Sequence, residues 1–308
     1  MDLRVFTEPQ QGARYGDLLA VALRAERLGF SAFFRSDHYL RIGEGSGLPG
    51  PSDAWVTLAG LARDTSTIRL GTMVTPATFR LPGPLAIAVA NVDDMSNGRV
   101  ELGMGAGWYD QEHLSYGIPF PGIGERFDRL EEQLEVITGM WAAEEGQTFE
   151  HRGRHYELVD SPALPKPAQP DGPPLILGGF GRRRTPELVA RFASEFNVPF
   201  ADLDTTVAQG RHVDDACERA GRDPAEVVRS ACQVVCVAED PGVLRRRAES
   251  IGRDLDSDLR VNGIAGGPEE AAGRIGRFAE AGIERLYLQV LDLSDLDHLD
   301  ELARLMNP

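Results

Sequence analysis

Asp37 and His38 close the segment Phe33-Phe34-Arg35-Ser36-Asp37-His38. Two aromatics in a short apolar run read as a buried strand. A buried strand that breaks into Arg, Ser, Asp and His delivers polar groups to one end of a sheet. A carboxylate beside an imidazole suits proton transfer and ligand orientation. The same residues suit a surface turn in which Asp37 caps a helix. A second stretch with chemical meaning is Gly178-Gly179-Phe180-Gly181-Arg182-Arg183-Arg184-Thr185, which follows the apolar Leu175-Ile176-Leu177. A strand running through glycines into a helix start leaves backbone N–H groups free to bind an anion. Three arginines there add a local positive field, or form a solvated charge run. In a third stretch, Gly103-Met104-Gly105-Ala106-Gly107, the last glycine of a dinucleotide fingerprint and its opening helix are missing. Gly105 and Gly107 would instead let a flat ring approach the backbone closely.

Other chemistries find little support. GxSxG and a P-loop are both absent. His151 and His155 flank Gly153 outside any helical pattern, so they read as exposed hairpin histidines rather than metal ligands. Cys217, Cys232 and Cys236 match neither a disulfide framework nor a zinc set, and read as buried reduced thiols. No metal is expected. A net charge of -16 opposes non-specific nucleic-acid binding. No apolar run reaches the about 18 residues that span a bilayer. Met1 to Phe6 enters a strand pattern directly, with no basic and apolar leader, so a cytoplasmic location is expected.

The elements that must position these groups alternate along the 308 residues. Strands are expected at 3–7, 31–35, 68–74, 99–104, 175–177, 195–198, 230–238 and 286–290. Between them come apolar residues at helical spacing, among them Leu18, Leu19, Ala22, Ala25 and Leu28 early in the chain, and Phe127, Leu130, Leu134, Ile137 and Trp141 in a helix over 125–141. Eight strand–helix repeats imply a parallel sheet with right-handed crossovers, and eight units close into a (β/α)8 TIM barrel. An open doubly wound sheet is the alternative. One domain over 1–308 is expected, with irregular insertions at about 105–124, 148–174 and 253–267. In such a barrel, function gathers at the C-terminal strand ends. Those ends bring Glu8, Asp37, His38, Thr75, Gly105 to Trp108 and Gly178 to Gly181 toward one mouth.

The chain resembles the luciferase-like monooxygenase superfamily, and within it the oxidoreductases that use the deazaflavin coenzyme F420. The matching stretches are FFRSDHYL (33–40), IRLGTMVTPATFR (68–80), NGRVELGMGAGWYDQE (97–112), LILGGFG (175–181) and the segment 274–290. Their order holds across nearly the whole chain. The resemblance implies a luciferase-like TIM barrel, usually a homodimer, with the coenzyme ring in its mouth. It implies that Asp37 accepts hydrogen bonds from the ring, and that His38 orients the substrate or exchanges a proton with it. It implies a non-proline cis peptide at Met73-Val74 behind the ring. Thr75, Ala106, Gly107 and Trp108 would line the ring. Gly178 and Gly179, with Phe180 and Gly181, would receive the phosphate of the tail.

Two departures stand out. Sugar-phosphate and alcohol dehydrogenases of that group carry a Trp a few residues after the Asp-His pair, where Ile42 lies here. They also carry an acidic residue near the glycine turn, where Trp108 lies here. His38 is the first candidate for proton transfer, with Glu8 and Glu112 behind it. Glu112 also reads as a salt-bridge partner. The expected activity is hydride transfer between F420 and a small organic substrate: an imine, enone, carbonyl or alcohol. The alternatives are an FMN-dependent monooxygenase and a non-catalytic protein that binds a flavin-type coenzyme.

Overall fold

The computed structural model describes residues 1–306. Eight parallel strands form the staves: β1 (Asp2–Thr7), β2 (Ala32–Arg35), β3 (Arg69–Thr72), β4 (Val100–Gly105), β5 (Leu175–Gly178), β6 (Glu195–Pro199), β7 (Val228–Val237) and β8 (Arg285–Val290). Each pairs with the next, and β8 returns to β1 in the register Asp2 to Arg285 through Thr7 to Val290. The ring is closed, so the open-sheet alternative falls. The expected third strand does not run through to Val74. It stops at Thr72, and a two-residue strand at Thr75–Pro76 rejoins the sheet beside β4. The intervening Met73-Val74 peptide is cis. At Gly103 a Cβ would stand 2.0 Å from the Thr72 carbonyl oxygen, so only glycine fits this contact between β3 and β4.

Helices cover the outside. They are α1 (Tyr15–Leu28), α2 (Ala54–Asp64), α3 (Pro82–Ser96), α4 (Asp110–Tyr116), α5 (Ile123–Ala142), α6 (Arg184–Phe192), α7 (Leu203–Ala220), α8 (Pro241–Ser250), α9 (Pro268–Glu280) and α10 (Leu296–Arg304). Their buried faces follow helical spacing, as with Leu18, Val21, Ala22 and Ala25 of α1. Asp53 caps α2 by accepting from the Trp55 and Val56 N–H groups. No helix among the described residues is long and apolar enough to cross a membrane.

The enlarged connections are more ordered than the sequence suggests. The stretch after β4 contains α4, and α5 begins two residues earlier than expected. Phe149–Arg152 and Glu157–Ser161 form the antiparallel hairpin. His151 and His155 are not exposed there. Both are half-buried, with His151 Nε2 3.7 Å from Glu132. The stretch over 253–267 is not a loop throughout. It forms a π-helical turn (Leu255–Leu259) and a short helix (Arg260–Asn262). It then adds the strand Ile264–Gly266 beside Val235–Val237 of β7.

Inside the barrel, side chains stack in layers. The floor is ionic. Arg4 donates to Glu101 Oε2 at 2.7 Å, and Arg69 donates to the other oxygen of Glu101. The Tyr287 hydroxyl donates to Glu195 Oε1 at 2.8 Å, and Arg285 also binds Glu195. Above the floor lies a plug that includes Phe6, Phe34, Ile176 and Cys232. All three cysteines are buried and free.

Candidate active site

Above the plug, a cavity of about 670 Å³ occupies the C-terminal mouth of the barrel. β1 and β2 contribute Phe6, Glu8, Ser36 and His38. The break after β3 contributes Met73 and Val74, and the rim after β4 contributes Gly105 to Trp108. The turn after β5 contributes Gly178 to Gly181, and the far wall is Pro199, Phe200 and Cys232. Trp108 and Phe180 stand largely exposed at the entrance.

His38 is fixed by a residue far away in sequence. Its Nδ1 lies 3.0 and 3.1 Å from the two carboxylate oxygens of Glu112, which sits in the first turn of α4. Glu112 Oε2 also accepts from the Tyr39 N–H at 3.0 Å. Glu112 is 1% exposed. A carboxylate accepts, so this contact places the imidazole proton on Nδ1 and leaves Nε2 for a ligand. Trp108 and Tyr109 meet the ring edge-on, at 5.8 and 6.2 Å between centroids. Trp108 is not acidic, and the carboxylate that faces His38 is Glu112, four residues further on.

Asp37 is not where the sequence reading places it. Side chains alternate along an extended chain. Phe34, Ser36 and His38 turn inward, and Arg35 and Asp37 turn outward toward the helices. Asp37 is fully buried and does not line the cavity. It accepts from Arg80 Nη1 at 2.5 Å and from the Thr75 hydroxyl at 2.9 Å. Arg80 also binds Asp53 and the Tyr39 hydroxyl. Thr75 belongs to the same outer network and likewise misses the cavity. It also accepts from Trp55 Nε1 at 3.2 Å. Arg35 lies in this layer without a carboxylate contact. It donates to Thr57 Oγ1 at 2.5 Å and Ser52 O at 2.8 Å, and burial pushes its guanidinium down to about 10.

Glu8 ends β1 on the cavity wall. Burial raises its carboxyl above the ordinary range, and nearby His38 opposes that shift. A carboxyl that holds its proton longer can donate as well as accept. Burial likewise pushes the Cys232 thiol well up, with Glu8 adding to it, so Cys232 is an apolar wall group rather than a nucleophile.

The glycine turn after β5 keeps backbone open. Gly179 has φ +127°, a conformation L-residues rarely adopt, and nothing would meet a Cβ there within 4 Å. Thr185, in the first turn of α6, lines the cavity beside it. The three arginines are largely spoken for. Arg184 pairs with Asp128 at 2.7 Å and Arg183 with Glu187 at 3.3 Å, which leaves Arg182 exposed. Sequence reasoning missed Arg126 of α5. Its Nη1 donates to the Gly107 carbonyl at 2.8 Å, and its guanidinium lies 3.9 Å over Phe120. It holds the rim from behind. Among the described residues, no three His, Cys, Asp or Glu side chains gather closely enough to hold a metal.

The closed parallel barrel, with a cis Met73-Val74 peptide behind a glycine-rimmed mouth, places the chain among the TIM-barrel proteins. The family model of luciferase-like monooxygenases matches residues 1–255, and the chain belongs to that family. An F420-dependent glucose-6-phosphate dehydrogenase of Amycolatopsis mediterranei is 35% identical over 164 residues, 53% of this chain. The match spans 48% of that relative, about half its length. The solved F420-dependent secondary alcohol dehydrogenase, in complex with an F420-acetone adduct, has a TM-score of 0.83 at 21% identity, covering 99% of this chain and 97% of its own. The oxygenating constituent of 3,6-diketocamphane monooxygenase from Pseudomonas putida, with FMN, has a TM-score of 0.74 at 20% identity, covering 99% and 98%. These last two likenesses are of fold.

Proposed function

We propose that this chain is an F420-dependent oxidoreductase acting on a small organic carbonyl compound, alcohol, enone or imine. The observation that carries it is the His38–Glu112 pair on the wall of a mostly apolar, glycine-rimmed cavity. The cavity suits a flat ring with a phosphorylated tail. Its rim at Gly105 to Gly107 presents bare backbone, and the open turn at Gly179 leads into the N-terminus of α6. Met73, Val74, Ala106, Gly107 and Trp108 would hold the ring, and Gly178 to Gly181 with Thr185 would hold the tail. When bound, F420 supplies two-electron hydride chemistry.

The chain's own residues do the rest. Glu112 orients His38 and keeps its proton on Nδ1. His38 Nε2 then takes the proton from a substrate hydroxyl, or returns it to a carbonyl oxygen. Glu8, biased toward its protonated form, is a second donor on the same wall. Phe6 and Phe127 give the wall apolar surface. Asp37 and Thr75 act from behind the wall, as supports for β2 and for the turn after β3.

The reading includes one barrel domain, a homodimer, a cytoplasmic location, and neither nucleic acid nor membrane as partner. Preference for F420 over FMN rests on the named relatives. Titrating the purified chain with each coenzyme, and following tryptophan quenching, tests it. Saturable quenching by F420 is expected. Tight FMN binding with no response to F420 would overturn the reading in favour of the monooxygenase.

A further inference from the structure

We propose that the cavity selects a neutral, largely apolar ketone or secondary alcohol and excludes phosphorylated sugars. The inference rests on the oxidoreductase reading and narrows its substrate. Among the described residues, no lysine or arginine side chain lines the cavity. The formally charged wall groups are both acidic, Glu8 and Glu112. The imidazole of His38 also lines the wall, and its Nδ1 already faces Glu112 at 3.0 Å.

Exposed Arg182 stands beside the glycine turn after β5, at the corner this reading gives to the coenzyme tail, and the cations nearer His38 are engaged by other groups. Arg41 donates to the carbonyls of Gln11 at 2.6 Å and Glu44 at 2.5 Å. Arg253 pairs with Asp258 at 2.8 Å, and Arg126 with the Gly107 carbonyl. A phosphate dianion placed here would lose its water, gain no cation and face two carboxyl groups. The anion-favouring corner is the start of α6, after β5. It lies three staves round the barrel from His38, and in this reading it serves the coenzyme tail.

A ketone or secondary alcohol makes one polar demand, at its oxygen, and His38 Nε2 meets it. Its carbon skeleton meets Ile42, Ile123, Phe127 and Phe200. Burial of such groups favours an apolar substrate. Ile42 is a specificity residue on this account, because it is half-buried on the cavity wall four residues beyond His38.

Saturation-transfer NMR on the F420-saturated chain, with cyclohexanone and glucose 6-phosphate as probes, reads the selectivity directly. Turnover of cyclohexanol and glucose 6-phosphate gives a second readout. Cyclohexanone is expected to bind more than about 100-fold better than glucose 6-phosphate. Ile42→Lys, at this half-buried position, should narrow that ratio by about tenfold or more. Glucose 6-phosphate binding equal to or tighter than cyclohexanone overturns the proposal. An unchanged ratio in Ile42→Lys removes Ile42 as a specificity residue. The same NMR comparison on the coenzyme-free chain still reads charge selectivity if F420 fails to bind, so that failure strikes the cofactor reading alone.

Discussion

The Nδ1 nitrogen of His38 faces both carboxylate oxygens of Glu112, at 3.0 and 3.1 Å, across 74 positions of sequence. Two elements that are irregular in sequence, the end of β2 and the insertion after β4, are thereby tied together at the cavity wall. Through the Tyr39 N–H, the same carboxylate also fixes the backbone that carries His38.

His38→Ala should lower kcat by about 10²–10⁴-fold, the range for losing a positioned acid or base. Glu112→Gln should cost less, about 10–100-fold, because the imidazole stays while its orientation loosens. Neither should change the Kd for the coenzyme, measured by fluorescence titration. Undiminished kcat in His38→Ala would reject it as the proton carrier.

Asp37→Ala leaves Arg80 without its buried partner and the Thr75 hydroxyl without its acceptor. Breaking such a pair costs about 3–5 kcal/mol. Urea unfolding should show that loss, and Asp37→Asn, which keeps an acceptor, should lose less. If Asp37→Ala instead left stability intact and abolished coenzyme binding, the ring-contact assignment would be restored.

His298 of α10 accepts the Val237 N–H through Nε2 at 3.1 Å. Burial, with Arg247 nearby, pushes its imidazolium down to about 4 from 6.5. Between those values the unfolded chain binds the proton and the folded chain does not. Folding stability should therefore fall as pH drops from 6.5 toward 4, by up to roughly 3 kcal/mol from this group. His298→Gln should flatten that acid limb in thermal melts. Parallel pH profiles for the two proteins would show that other groups set the limb.

Gly179→Val forces a side chain into a φ of +127° at the cavity edge, a strain of about 1–3 kcal/mol. Coenzyme Kd should rise by about tenfold or more. Gly221→Ala supplies the control. It places a side chain in the left-handed region at the C-terminal cap of α7, φ +72°, away from the cavity, and should leave the Kd unchanged.

The barrel was legible in the sequence because each stave is a short apolar run between breakers, with an amphipathic helix after it. Each of the eight staves overlaps the run expected for it, and the third stops short, at Thr72. The misses have physical causes. α4 is seven residues long and enclosed by glycine and proline, too short for a 3.6-residue period to show. Asp110 and Glu112 at its start and Gly117 at its end were the available signals. Ile264–Gly266 is a three-residue strand whose partner, the outer end of β7, cannot be read locally. Asp37 looks like a ring contact from its chemistry alone, whereas its parity in the strand points it away from the mouth. Counting by twos from Phe34 turns His38 inward and Asp37 outward. Arg80 as its partner lay beyond reach, since no local pattern announces an ion pair across 43 positions.

The ionic floor of Arg4, Glu101, Glu195 and Arg285, sealed under Phe6 and Phe34, makes the barrel a vessel with one opening. Whatever enters the mouth must leave by the mouth. A ligand seated deeper is trapped by one seated above it, so traffic is last in, first out. In kinetic terms, two ligands that stack in such a vessel bind in a compulsory order, and the outer product departs before the inner partner can exchange.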